Sequence, residues 1–110
     1  MSSPRVFFED FLPESLGGIG MALPTGTVVA FHVAGDDGGD WQIGRTTKGT
    51  FVSPVDLAPK DCEMWCSAET FMRMVSGAVR PSRAFLSGDL RISGDVGLAM
   101  KCETLLREAA

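Results

Sequence analysis

Three cysteines are the residues of this chain that most directly invite metal or redox chemistry. Cys62 and Cys66 lie in a short run of bulky side chains that predicts a β-strand. On a strand their Cα atoms would be about 13 Å apart, since each residue advances about 3.3 Å, whereas a disulfide needs less than about 7 Å. We therefore favour reduced, partly buried thiols, with a metal or redox pair as the alternative. Cys102 lies on a predicted helix, where packing is a more ordinary role than that of a third ligand.

The single histidine restricts acid–base and nucleophilic catalysis, because a serine or cysteine triad would need His32 as its base. His32 lies in the middle of a predicted strand, on the face opposite Val29 and Phe31, where a surface or interface residue is more usual. The chain contains no Gly-x-Ser-x-Gly motif. Its carboxylates lie in turns and at helix starts, where solvation and capping account for them. We predict no catalytic residue, and a protein that is not an enzyme.

Two short motifs look like ligand-binding loops but lack the spacing that defines such loops. Asp36, Asp37 and Asp40 form an acidic turn, yet a calcium loop needs acids at alternate positions and a glutamate at its end. The glycine-rich stretch 17–20 lacks both the preceding strand and the Gly-x-Gly-x-x-Gly spacing of a dinucleotide site. The sequence therefore predicts neither a metal ion nor a cofactor.

Length and composition predict one packed domain. The 110 residues are 45% hydrophobic and 22% charged, which is enough apolar content for a core. The net charge of −4 argues against a nucleic-acid-binding protein and gives no attraction to anionic membranes. No apolar run approaches the length of a membrane span. Glu9 and Asp10 interrupt the apolar run near the start, so we expect no secretory signal.

The first half of the chain predicts a short helix followed by three strands. Residues 6–16 carry apolar side chains at helical spacing, and we interpret them as an amphipathic helix that caps the core. A lid over an apolar cavity, or a dimer contact, is the alternative. Residues 27–34, 41–46 and 51–57 have the composition and alternation of strands. Pro54 indicates an edge or a bulge in the third strand.

The second half of the chain carries clear element boundaries. Ser67 predicts the N-cap of a helix that ends at Gly77. Pro81 begins a second, short helix, which Gly88 closes. A strand at 90–93 then leads into the last helix. We expect the four consecutive strands to form an antiparallel meander, with the fifth strand in either direction and the helices collected on one face.

The order of motifs in this second half resembles the sterol carrier protein type 2 domain. The residues that carry the resemblance are Ser76-Gly77, Arg80-Pro81, Ala84-Phe85, Gly88, Leu90, Ile92, Gly94-Asp95 and Lys101. It covers the C-terminal half well and the sheet of the first half more loosely. The resemblance implies one α+β domain over residues 1–110. In that fold a mostly antiparallel sheet of about five strands carries helices on one face around an apolar tunnel.

The resemblance also implies a function, namely non-catalytic binding and carriage of a lipid (a sterol, fatty acid or fatty acyl-type molecule) in the tunnel. The residues expected to line it combine an apolar face with a matching family position. They are Val29, Phe31, Met64, Phe71, Val75, Phe85, Leu86, Leu90, Ile92, Leu98 and Leu105. Arg80 and Arg83 could meet a lipid carboxylate or sulfate at the tunnel mouth, although a solvated face is the more ordinary role.

Methionine content is consistent with an adaptable apolar site. The chain has six methionines, of which Met64, Met72, Met74 and Met100 fall in or beside the helical half. Methionine adapts to irregular apolar shapes. Ordinary core packing is nevertheless the more common role for any one of them.

An interaction module of the same fold is the alternative function. Such a module would form a homodimer, or support a partner enzyme, without carrying lipid. Its contact would be the exposed-looking cluster of Phe7, Phe8 and Phe11. The chain ends in Glu108-Ala109-Ala110, without the Ser-Lys-Leu peroxisomal address of some relatives. We expect a cytoplasmic, bacterial setting, transient contact with a membrane or an enzyme, and no nucleic acid.

Overall fold

The computed structural model describes residues 3–14 and 23–109, with the helical path alone for residues 103–109. The elements are α1 (Pro4–Val6), which continues into a π-helical turn (Phe7–Phe11), then β1 (Val28–Ala34), β2 (Gly39–Thr46), β3 (Gly49–Pro54), β4 (Cys62–Ser67), α2 (Ala68–Val75), α3 (Pro81–Ser87), β5 (Leu90–Gly94) and α4 (Val96–Ala109). The predicted N-terminal helix is present as far as Glu14. Its predicted end at residues 15 and 16, and the glycine-rich stretch 17–20, lie outside the described residues.

The strands form one five-stranded mixed sheet in the order β3-β2-β1-β4-β5. Neighbouring strands are antiparallel except for β1 and β4, which are parallel. The predicted α+β class with a mostly antiparallel sheet is confirmed. The predicted antiparallel meander of four strands is wrong, because β4 lies beside β1 and not beside β3. The chain between β3 and β4 crosses the sheet instead of turning back at its edge.

This crossover, residues 55–61, is held against the sheet face that bears Gln42. The Asp56 carboxylate accepts a hydrogen bond from Nε2 of Gln42 at 3.1 Å. At the end of the crossover, the main-chain N–H of Asp61 donates to the carbonyl oxygen of Val28 at 2.9 Å. The N–H of Val28 in turn donates to the Asp61 carboxylate at 2.8 Å. These two bonds place β4 beside β1 in parallel register.

The helix boundaries lie where the capping residues predict them. The Ser67 hydroxyl oxygen accepts a hydrogen bond from the N–H of Thr70 at 3.1 Å, at the start of α2. Pro81 occupies the first turn of α3. Gly77 and Gly88 follow these two helices with φ of +83° and +87°, which a residue with a Cβ rarely adopts. The predicted boundaries of both helices are therefore confirmed.

Gly94 and Asp95 connect β5 to α4. Gly94 has a φ of +92°, and a Cβ there would lie 2.5 Å from the carbonyl oxygen of Asp61, so only glycine fits this close approach. Asp95 Oδ1 accepts a hydrogen bond from the N–H of Leu98 at 3.2 Å and caps α4. No helix within residues 3–14 and 23–109 is both long and apolar enough to cross a bilayer.

The core lies between the helices and one face of the sheet, and Phe8 is at the centre of its aromatic part. The ring centroid of Phe8 lies 5.3 Å from that of Phe7, 5.3 Å from Phe31, 4.6 Å from Trp41 and 5.1 Å from Phe71. The N-terminal helix is therefore attached to the sheet by ring contacts of Phe8, which is stacked on Trp41 and tilted against Phe31. This agrees with the prediction that the helix caps the core.

The same packing overturns one expectation from the sequence. Phe7 and Phe8 are 0% and 1% exposed, and Phe11 is partly buried against the same core. The interpretation of these three side chains as an exposed contact is wrong. These successive apolar side chains are all covered, because α1 and the π-helical turn pack between the sheet and α2.

Candidate functional site

Three strands and three helices meet around an apolar cavity between the two layers. Its lining comes from β1, β4, β5, α2, α3 and α4: Phe31, Met64, Cys66, Leu90, Met74, Pro81, Ala99 and Cys102. The cavity volume is about 10 Å³, which is close to the minimum for one water molecule. All of its lining side chains are apolar or thiols. The cavity therefore suits hydrocarbon and would leave a charged group without partners.

The predicted lining residues fall into groups. Three of them line this cavity: Phe31, Met64 and Leu90. Five belong to the surrounding core or pack against it: Val29, Phe71, Val75, Leu98 and Ile92. Phe85 and Leu86 lie on the outside of α3, 40% and 84% exposed. The side chain of Leu105 lies outside the described residues.

Sequence reasoning missed several lining residues, namely Met74, Pro81, Ala99 and the two cysteines. For Met74 a signal was available, because Phe71, Met74 and Val75 share the i, i+3, i+4 spacing of one helix face. Pro81 carried no such signal, since its role in starting α3 explains it completely. Small residues such as Ala99 become lining residues only when the elements are brought together.

Burial determines the chemistry of the cysteines. It raises the pKa of both cavity thiols, Cys66 and Cys102, to about 12. Burial, together with the negative charge of neighbouring carboxylates, raises the pKa of Cys62 to about 11. None of the three forms a disulfide. With these raised pKa values they stay protonated at neutral pH, and a protonated thiol is a poor nucleophile and a poor metal ligand. Among the described residues, no three His, Cys, Asp or Glu side chains are grouped to hold a metal ion.

His32 lies on the opposite face of the sheet, at the centre of a charged cluster. Its Nδ1 lies 2.7 Å from Oδ1 of Asp40, and its Nε2 lies 2.8 Å from Oε2 of Glu63. The imidazole stacks on Trp65 with ring centroids 5.1 Å apart. The guanidinium of Arg91 lies 5.8 Å from the Trp65 centroid. Four neighbouring strands thus contribute side chains to one cluster.

The two carboxylates assign His32 a structural role. An ionised carboxylate only accepts hydrogen bonds, so these two contacts fit an imidazolium ring, in which both nitrogens donate. Burial by itself lowers the pKa of His32, but the hydrogen bonds and charges of Asp40 and Glu63 outweigh it and raise this pKa above 6.5. Neither nitrogen is left to take a proton from a nucleophile. The cluster joins β2, β1 and β4 through charge-assisted hydrogen bonds.

We expect this cluster to make stability depend on pH. Since the pKa of His32 is raised in the fold, its contribution is fully present below the unfolded pKa and is lost as pH rises through the folded pKa. His32→Gln should lower the free energy of unfolding by about 1 kcal/mol near pH 6 and by clearly less near pH 9. Urea unfolding of both proteins across this range measures the difference. A loss that does not change with pH would contradict the imidazolium assignment.

Comparison with known sequences identifies related proteins. The sequence model of the SCP-2 sterol transfer family matches residues 20–107. Hydroxysteroid dehydrogenase-like protein 2 of Rattus norvegicus is 40% identical over 85 residues, which are 74% of this chain and 16% of that protein. The Homo sapiens protein of the same name is 37% identical over 87 residues, 76% of this chain and 20% of that protein. The chain therefore spans no more than about a fifth of the length of these curated relatives.

Solved structures share the fold over nearly the whole chain. The solution structure of the sterol carrier protein domain 2 of Helicoverpa armigera has a TM-score of 0.68 at 25% identity, covering 96% of this chain and 88% of that one. The solution structure of palmitated SCP2L2 from Aedes aegypti has a TM-score of 0.67 at 18% identity, covering 94% of each chain. The second likeness shows the fold alone. Both alignments cover more than nine-tenths of this chain.

Proposed function

This chain belongs to the SCP-2 sterol transfer family. From that premise we propose that it binds and carries a lipid without catalysing a reaction. The observation that supports this most is the apolar cavity, which lies between the sheet and the helices and has no charged lining residue. A sterol or an acyl chain fits such a lining. The polar end of the lipid would remain at the surface, because the cavity offers it no partner.

The cavity must open to receive a ligand. Its volume of about 10 Å³ is far below the roughly 300 Å³ at which ligand pockets begin. Met64 and Met74 line it from opposite layers, and methionine changes shape at little cost because it is unbranched. The short helix α3 adds only Pro81 to the lining. We therefore propose that the lipid displaces the two methionine side chains and moves α3 outward.

The energy available is sufficient for useful affinity. Burying about 300 Å² of hydrocarbon at about 25 cal/mol per Å² offers about 7.5 kcal/mol before the costs of binding. Opening the cavity and ordering the lipid reduce this sum, so micromolar affinity is the reasonable expectation. No polar contact is needed to reach it. This explains how a carrier site can exist without any catalytic or ligand-binding motif in the sequence.

The context of the carrier is also a proposal. The curated relatives are dehydrogenase-like proteins several times longer than the matched segment. We propose that this domain supplies an apolar molecule to an enzyme or to a membrane. The alternative of an interaction module without lipid has lost the surface on which it rested, since Phe7 and Phe8 are buried.

The proposed function is tested by lipid extraction and by direct titration. Native mass spectrometry of the purified protein, followed by organic extraction, should reveal a bound acyl or sterol-like species. Protein freed of lipid should then take up a fluorescent fatty acid or a fluorescent sterol with about one site and micromolar affinity. A protein that is purified empty and takes up neither probe would refute the carrier function.

A further inference from the structure

The strand β3 forms one edge of the sheet, and within the described residues no strand pairs with its outer side. An open edge can pair with a further strand, and proteins usually prevent this with charged side chains or very short edge strands. β3 spans Gly49–Pro54 and contains no charged residue, and its Phe51 and Val52 are only partly buried. Pro54 limits pairing at the end of the strand alone. Most of this edge is therefore suited to accept another strand.

The hydrogen-bond pattern shows which main-chain groups of β3 point outward. The N–H of Val55 donates to the carbonyl oxygen of Asp40 at 3.2 Å, which continues the antiparallel register of β2 and β3. Hydrogen-bonded and non-hydrogen-bonded pairs alternate along such a ladder, so Phe51 directs its N–H and C=O groups to β2. Thr50 and Val52 direct theirs to the open edge. No hydrogen bond from another segment that the structure describes reaches these outward groups.

This edge is complementary to a second copy of itself. In an antiparallel pair of β3 strands with a two-fold axis at Phe51, Thr50 of each copy lies opposite Val52 of the other. Every outward N–H of these residues then meets an outward carbonyl oxygen of the other copy. The two Phe51 residues lie directly opposite each other on the face that bears His32, as an aromatic cross-strand pair. Such a contact uses the same surface of both copies, so it closes at two.

The charges at the two ends of β3 favour the same pairing. Lys48 precedes the strand and Asp56 follows it, and both are exposed. Asp56 also binds Lys60, yet its side chain remains 59% exposed. In the antiparallel pair the Lys48 end of each strand lies beside the Asp56 end of the other, so opposite charges meet at both ends. The β5 edge has acidic residues at both ends, Asp89 and Asp95, so self-pairing there would bring like charges together.

We propose that β3 is a homodimer interface, at which two copies of this chain join their sheets edge to edge into one continuous sheet. The surface is separate from the one that supports lipid carriage, since β3 contributes no residue to the cavity lining. One strand from each copy makes a small interface, and small interfaces are weak. We therefore expect a dissociation constant of about 100 μM, so the dimer forms where the protein is concentrated.

Sedimentation equilibrium and amide hydrogen exchange together test the proposal. With no lipid added, wild-type protein should be largely monomeric at about 5 μM and largely dimeric at about 1 mM. The main-chain amides of Thr50 and Val52 should exchange about threefold or more slowly at the higher concentration, because the dimer gives them hydrogen-bond acceptors. The amide of Phe51 already bonds to β2, and that of Ile92 lies on the other edge strand. Neither of these two should depend on concentration.

Two substitutions at Thr50 have a matched control on the other edge strand. Thr50→Lys brings two like charges to the shared edge and should weaken dimerisation at least about tenfold. Thr50→Pro removes an outward donor from each copy, a change that an edge strand tolerates, and should also weaken it at least about tenfold. Ser93→Lys makes the same charge change at an exposed position of β5. This control should dimerise within about twofold of wild type.

Three results would overturn the proposal. The first is wild-type protein that remains monomeric at about 1 mM. The second is a dimer in which the Thr50 and Val52 amides exchange as fast as in the monomer, since the two copies would then meet elsewhere. The third is a loss of dimerisation in Ser93→Lys as large as that in Thr50→Lys. Because these measurements contain no lipid, each outcome leaves the test of lipid carriage unchanged.

Discussion

Replacing Ala99 with leucine should weaken fatty-acid binding by at least about tenfold, which corresponds to about 1.4 kcal/mol. Ala99 is 2% exposed and lines the cavity from α4. Ala99 lines the closed cavity of about 10 Å³, so the added side chain would occupy part of the space that the lipid needs once the cavity has opened. Overpacking should also cost about 1–3 kcal/mol of stability. Fluorescence titration of lipid-free protein measures the loss of affinity.

Two further variants make this test decisive. Ala58→Leu adds the same side chain at an exposed position of the crossover and should bind as wild type does. Ala99→Val adds less volume and covers the case in which the leucine variant does not fold. Full affinity in a folded Ala99→Leu or Ala99→Val protein would mean that the lipid binds somewhere else.

Replacing Phe8 with alanine should lower the free energy of unfolding by about 3–5 kcal/mol. Phe8 is 1% exposed, and four aromatic rings surround it. The substitution removes those ring contacts and leaves a cavity where the N-terminal helix meets the sheet. Since the total stability of a domain is about 5–15 kcal/mol, much of it would be lost. Urea unfolding monitored by tryptophan fluorescence measures the change.

Phe85→Ala is the matched control for Phe8→Ala. The same atoms are removed from a side chain that is 40% exposed, so we expect a loss below about 1 kcal/mol. Similar losses for the two variants would show that the aromatic cluster does not hold the N-terminal helix against the sheet.

The features that sequence predicts well here are local. Ser67, Gly77, Pro81 and Gly88 mark helix ends because each satisfies a requirement of the backbone within one turn. The strand faces followed from alternation in the same way, and they placed His32 opposite Val29 and Phe31. Such signals need no knowledge of which elements are neighbours.

The predictions that were wrong concern features that depend on which elements are neighbours. A connection of a few residues between β3 and β4 favours a hairpin, yet the crossover is held by Gln42, Asp56 and Asp61 and delivers β4 to the far side of β1. This error also hid the contact between His32 and Glu63, which exists only because β1 and β4 are paired. The sequence predicts only that His32 lies on the outer face of the sheet, whereas the structure places it at the centre of the charged cluster.

The cavity lining shows the same limit at the level of single faces. On α3 the large apolar residues Phe85 and Leu86 were predicted to be buried. The smaller Pro81 and Ala84 form the buried face instead. A helix as short as α3 has too few residues to define its buried face by hydrophobicity. Only the positions of its neighbours, β5 and α4, decide which side is covered.

The central claim is that a lipid enters the cavity between the sheet and the helices, and methyl NMR during the titration tests it most directly. Protein labelled at its methionine methyl groups would be titrated with palmitate. We predict that the Met64 and Met74 signals shift until one equivalent is bound, while that of Met72, which does not line the cavity, shifts less. Palmitate that binds while Met64 and Met74 remain unchanged would contradict the claim.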